Sequence, residues 1–476
     1  MGRNNNFLWK NLLYSLIQPL YNYTDIEHFN IINNTTYNNW YDTYIFLHNI
    51  KLYPDYNLEK ALIAGYVEAV KYMIDTQTHI NIHEQYALRH ACIHGRVEVV
   101  KYLAELGTNI NCKIDCYDDD TCITLACKNG HLCVVKYLYE HCFSQIENQE
   151  ISLSCAAEYG HLHIIEYLVN NGFNDLQDEG ISLMLACSNG HVNVVHYLAH
   201  RGVDINFTNG NPLFNACMNG HFDTVKYLLQ NGVNTGLYFA YIKACERGHA
   251  DIVKLLHQFD TNIYPQDGKC LILACRNGHY NVVQYLMQHM FYTPQHINLA
   301  MFKACKRGHL SILQCLIPYG ANIREDNDTA LIKACEGQKY MAYQSCNCKE
   351  CVQHVKTDKD SITHRDANQL NTVKYLVHSG CDVNANDGLP LMLACKNYHL
   401  NVVQYLVQQG ADVNCQHGQA MVIACERGFY DIVSFLVDKY TNIHIIRRCL
   451  NIAIEHEHTD IVEYLNTILK QIDSCI

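Results

Sequence analysis

Apolar and polar residues follow one another along this chain in short helical blocks. In the stretch 270–289, CLILACRNGHYNVVQYLMQH, the first block, Cys270 to Cys275, is apolar on nearly every side. The polar turn Arg276-Asn277-Gly278-His279 follows. The second block sets Val282, Val283 and Leu286 on one face at helical spacing. Two short helices joined by a tight turn are predicted. Gly278 suits the turn, because a left-handed residue stops a helix there at no steric cost. Small acidic or amide residues open the second helix (Asn281 here, Asp251, Asp431 and Asp460 elsewhere), which matches its positive end. A second glycine closes it, as in HRGVDIN and QQGADVN, and a turn such as Asn386-Asp387-Gly388 leads onward.

The block pair recurs. ACIHGRVEVVKYL begins at Ala91, ACKNGHLCVVKYL at Ala126, ACSNGHVNVVHYL at Ala186, ACERGHADIVKLL at Ala244 and ACKNYHLNVVQYL at Ala394. The cysteines in register are Cys92, Cys127, Cys187, Cys217, Cys245, Cys275, Cys305, Cys335, Cys395 and Cys425, mostly 30 residues apart, and Ala157 stands at the same position in a further copy. With degenerate copies at Leu58 to Ile82 and Leu450 to Leu469, about thirteen units are expected. Neither helix of a unit can bury its apolar face alone, so neighbouring units must stack. Stacking also explains how 476 residues avoid one oversized core. The organisation read from the pattern is a non-repeat N-terminal cap over 1–56, repeats over 57–337, an insertion over 338–368 within one repeat, and repeats ending in a C-terminal cap over 369–476.

The run DGLPLMLACKNYHLNVVQYLVQQGADVN, Asp387 to Asn414, resembles an ankyrin repeat. Pro390 and Leu391 match the family's opening, Ala394 and His399 its turn, and Gly410 to Asn414 its end. The Thr and His of the family's opening are mostly absent, and the period is 30 residues rather than 33 because the segment from Asn384 to Pro390 is short. The resemblance implies an all-α solenoid of helix-turn-helix units with shortened β-hairpin fingers. It also implies a non-catalytic scaffold that binds proteins on a concave face formed by the fingers and first helices. The Asn- and Tyr-rich style is similar to the ankyrin proteins of giant DNA viruses of the mimivirus type, which implies host or viral proteins as partners.

Cysteine paired with histidine raises the question of catalysis. An enzyme needs one nucleophile with its own base, whereas here the pair repeats in copy after copy, and Ala157 replaces the cysteine in one. The reading preferred is a small core residue, with the histidine (His131, His161, His191, His221, His249, His279, His309) bonding backbone in the turn. No Gly-rich phosphate loop or defined carboxylate pair is present, so no enzyme is expected. The insertion carries CNCKECVQH; Cys346, Cys348, Cys351 and His354 supply four zinc-type ligands within nine residues. A zinc module grafted on a structural solenoid is therefore the alternative to a pure scaffold, weighed against a solvated loop with reduced thiols. Otherwise no cofactor is expected.

A net charge of -12 opposes general binding to nucleic acid or anionic membrane. An odd 25 cysteines spread over the chain, with no apolar run long enough to span a bilayer, point to a reducing, cytoplasmic setting and a monomer. Against the acidic background, Lys243, Arg247, Arg276, Lys303, Lys306, Arg307 and Lys333 recur just before or just after the Ala-Cys pair. In the family such positions face the concave side, so a basic stripe for an acidic or phosphorylated peptide is one reading; a solvated charged surface is the preferred one, because charge runs are common on repeat surfaces.

Overall fold

The structure, a computed structural model, describes residues 84–111, 120–142, 149–172, 176–260, 267–337, 367–439 and 443–475, with isolated gaps and a few positions elsewhere. Among these residues every regular element is helical, and twelve helix pairs follow one another. Most of the copy at Leu58 to Ile82, the N-terminal 1–56 and most of the insertion lie outside the described residues.

The chain forms two compact units. The first runs to Pro212 and takes in Gln230–Val233; the second holds Leu213–Leu229 and everything from Asn234 onward. In the first, Gln149–Glu158 lies between Cys122–Lys128 and Leu176–Asn189, while the second helices Val97–Glu105, Leu132–Cys142, Leu162–Asn170 and Val192–His200 form the other layer. In the second, Lys269–Asn277 lies between Leu237–Arg247 and Pro294–Arg307, backed by Ala250–Phe259, Tyr280–His289 and Leu310–Leu316.

The layering follows from side-chain size. Each first helix has neighbours on two sides and a second helix behind it. Ala and Cys at its centre let those backbones approach, and all ten register cysteines are fully buried, as is Ala157. The second helix has one buried face. Val282, Val283 and Leu286 are fully buried while Asn281 and Gln284 are exposed, and each such apolar side chain contributes about 1.5–3 kcal/mol.

The fingers are shorter than hairpins. Where strands were expected, three successive residues adopt left-handed backbone: Thr208-Asn209-Gly210, Asp326-Asn327-Asp328, Asn386-Asp387-Gly388 and Gln416-His417-Gly418. No described residue there is in a strand. The missing residues leave no length for two paired strands, and Asn, Asp and Gly tolerate the left-handed region best. The preceding Gly-x-Asp-Val-Asn segments chain the repeats together: Asp382 Oδ1 accepts from the Asn384 amide at 2.9 Å, and Asn384 Oδ1 accepts from the Asp412 amide at 2.8 Å.

Helices Glu325–Glu336 and 367–378 flank the insertion. In uninterrupted repeats the central Ala carbonyl accepts the amide five residues on, as with His279 to Ala274 and His309 to Ala304, both 3.0 Å. Here the side chain of Gln369 donates to the Ala334 carbonyl instead, and also to the Cys305 carbonyl at 3.1 Å. Gln369 is buried against Gly308.

Candidate functional site

The repeated histidine ties each repeat to the one before it. His279 Nε2 lies 2.9 Å from the Glu246 carbonyl, His309 Nε2 3.2 Å from that of Arg276, His191 Nε2 2.9 Å from that of Glu158, and His131 Nε2 2.8 Å from that of Ile93. These carbonyls end the preceding first helix, so the imidazole N–H caps a neighbour rather than its own turn. The ring also fills the space beneath the preceding turn glycine. A Cβ on Gly248 would stand 2.3 Å from His279 Nδ1. Where the pattern breaks, both partners change. Arg96 replaces the histidine against Gly65 and donates to the Ile63 carbonyl at 2.7 Å. Tyr398 takes a glycine position with φ 61, and the next histidine is Phe429, its ring 4.9 Å away. The signal for this coupling was the Gly–His separation across repeats, such as Gly248 with His279, rather than the Gly-His dipeptide.

Burial pulls His161 and His309 below the ordinary histidine value; their backbone hydrogen bonds act the other way, and neighbouring positive or titrating groups add to the lowering. The folded chain therefore binds these protons less readily than the unfolded one. Their contribution is full above the ordinary value of 6.5 and is lost as pH falls below it. Thermal unfolding should move to lower temperature from about pH 7.5 to about pH 5.5. His161→Gln with His309→Gln should lower stability at neutral pH and flatten that dependence; an unchanged slope would remove these two histidines as its source.

The buried register cysteines are not poised as nucleophiles. Burial pushes the thiols of Cys127, Cys187, Cys275, Cys305, Cys335 and Cys395 far above the usual range, so they stay protonated. Among the described residues, no group of three or more His, Cys, Asp or Glu side chains is placed to hold a metal ion. Cys346, Cys348, Cys351 and His354 lie outside those residues.

All seven basic positions fall in the second unit. Within a first helix, positions four and eight apart share a face. This arrangement gives three parallel rows: Phe239, Lys243 and Arg247; Lys269, Leu273 and Arg276 (seven after Lys269); Leu299, Lys303 and Arg307 with Lys306 beside it. The stripe is less uniform than the sequence implied. Lys243 pairs with Glu246 at 2.7 Å, and Glu336 is shared by Lys306 and, at 2.9 Å, Lys333. Lys243 holds the Glu246 carboxyl below its usual value, with Arg247 and Arg276 adding to the effect at longer range. Partial burial alone would raise Glu336, but the two lysines outweigh it and lower its carboxyl. The side chains of Arg247, Arg276, Lys303 and Arg307 make no hydrogen bond or ion pair with a described residue; Arg247, Arg276 and Lys303 are exposed and Arg307 is half-buried. Phe239 and Leu299, which the charge pattern did not single out, are 63% and 43% exposed in the same rows. A large apolar residue five places before the Ala is not unique to them, since Ile181 and Leu389 stand there too, while other copies carry Asn211, Lys269, Thr329 or Gln419.

Among the described residues, no helix is long and apolar enough to cross a membrane. None of the curated proteins compared matches the chain. A family model described as ankyrin repeats in three copies matches residues 153–238, 213–298 and 362–447, and a second, of ankyrin repeats in many copies, matches residues 88–138. Among solved structures, the human ASB11 ankyrin repeat domain is similar at 25% identity, across 38% of this chain and 89% of that one, with a TM-score of 0.33. The matched segments together span more than half of the chain and fall on the helix pairs described above, with their buried Ala-Cys centres and histidine-capped turns: the chain belongs to the ankyrin repeat proteins.

Proposed function

We propose that the chain is a non-catalytic scaffold for protein–protein interaction, and that the first-helix face of the second unit takes an acidic segment of a partner protein. The observation that carries this reading is the set Arg247, Arg276, Lys303 and Arg307, cations whose side chains form no ion pair with a described residue, on a protein of net charge -12. Cations left unpaired in rows favour an approaching polyanionic surface and speed its encounter. Buried, protonated thiols along the array support a binding rather than a catalytic role. The Asn- and Tyr-rich 30-residue style supports placing the protein with the ankyrin proteins of giant DNA viruses, with host or viral proteins as partners in the cytoplasm.

Replacing Arg247, Arg276 and Arg307 together by Glu tests the reading. Proteins retained by the wild-type chain from a cell lysate should be lost from the triple variant, with helical content and melting unchanged. Retention of the same proteins by both forms removes the partner site from this face.

A further inference from the structure

The three rows are neither purely basic nor purely apolar, and that mixture selects a narrower ligand. Phe239 and Leu299 stand at the same register position, two repeats apart, with Lys269 between them. Tyr238, itself 41% exposed, meets Phe239 edge-on with ring centroids 5.3 Å apart, which holds the phenyl group in place at the surface. Leu273 occupies the centre of the middle row, with Lys243 and Lys303 at the same position on either side. Arg247, Arg276 and Arg307 close one end of all three rows.

We infer that this face binds an acidic polypeptide segment anchored by two large apolar side chains, one against Phe239 and one against Leu299. The inference rests on the reading of this face as the partner site. Neighbouring first helices pack about 10 Å apart, so the two anchors sit about 20 Å from one another. An extended segment spans that distance in about six residues. Carboxylates between the anchors meet Lys269, Lys303, Arg276 and Arg307. Apolar contact with Phe239 and Leu299 removes from water the surface that an acidic chain without anchors leaves exposed. Glu246 and Glu336 flank the cations and oppose a continuous polyanion such as nucleic acid, whose phosphates recur at every step. A peptide places its carboxylates at chosen positions and avoids both.

The test is selection of a displayed library of random peptides of about sixteen residues on the full chain. The selected peptides are then measured by fluorescence anisotropy on wild type, on Phe239→Ser with Leu299→Ser, and on the triple Arg-to-Glu variant. Both serine positions are exposed, and melting checks that the fold is kept. The expected peptides are acidic and carry two large apolar residues five to seven places apart. They should lose about tenfold or more in affinity on the serine variant and all measurable binding on the charge variant. Acidic peptides without anchors, held equally by wild type and the serine variant, overturn the inference and leave the acidic-segment reading standing. Peptides indifferent to both variants, or no selected peptide at all, overturn both. A labelled single-stranded oligonucleotide that binds tighter than any selected peptide, and is lost on the charge variant, assigns the face to nucleic acid and likewise overturns both.

Discussion

Gly248→Ala should cost about 3 kcal/mol or more of stability, whereas Gly410→Ala should cost only about 1–2 kcal/mol. The two glycines share the same backbone strain, with φ of 86° and 89°. They differ in what a methyl group meets. On Gly410 it finds nothing within 4 Å; on Gly248 it falls 2.3 Å from His279 Nδ1. The imidazole cannot retreat without giving up its bond to the Glu246 carbonyl. Adding His279→Ala to Gly248→Ala should therefore restore part of the loss, so that the two changes together cost less than their sum. Chemical unfolding of the four variants reads the cycle. Equal costs for the two glycines, or strict additivity, would mean the ring and the glycine are not coupled.

Gln369→Leu should destabilise the chain by about 1–3 kcal/mol although it keeps the size and burial of the side chain. The Ala334 carbonyl loses its side-chain donor in a buried space, while the Cys305 carbonyl keeps the Gly308 amide at 3.1 Å. The loss should appear locally as faster amide exchange over 367–378, because this helix is docked by the residue that substitutes for an interrupted backbone bond. A change below about 0.5 kcal/mol, with unaltered exchange, would show that the helix is held by apolar packing alone.

Much of this fold can be read along the chain. Val282, Val283 and Leu286 mark a one-sided helix because helical periodicity is local, and the structure buries all three. Repetition resolved the cysteines: a residue that recurs in register in ten copies, and gives way to Ala157 in another, serves the frame, and the ten register thiols are fully buried. Gly278 and its counterparts were legible as turn residues, because their left-handed backbone is a property of one residue and its immediate neighbours.

The candidate site was half legible. Arg247, Arg276 and Lys303 are exposed, as their register positions suggest, and Lys333 pairs with Glu336 at three residues' spacing, but nothing in one repeat shows that Lys306 joins them. Lys306 lies 30 residues from that carboxylate, and only the spacing between first helices brings them into reach. Phe239 reads as core by composition; its exposure follows from the roll of its helix against two neighbours.

By itself, then, the amino-acid sequence determined the helix pairs, their number and register, the small buried centres and the polarity of the displayed positions, because each depends on residues within one or two turns of one another. Tertiary structure alone decided that the histidines cap the preceding repeat, that Gln369 stands in for a backbone amide beside the insertion, that the fingers shrink to left-handed turns, and which cations remain unpaired. The histidine caps, the Gln369 bond to Ala334 and the Lys306–Glu336 pair are each made across a stacked interface about 30 residues or more away in sequence, whereas Lys243 and Lys333 pair within their own helices. The finger turns depend on how much chain must bridge that interface. Their geometry is set by the distance at which Ala and Cys let neighbouring helices meet, and no local pattern encodes that distance.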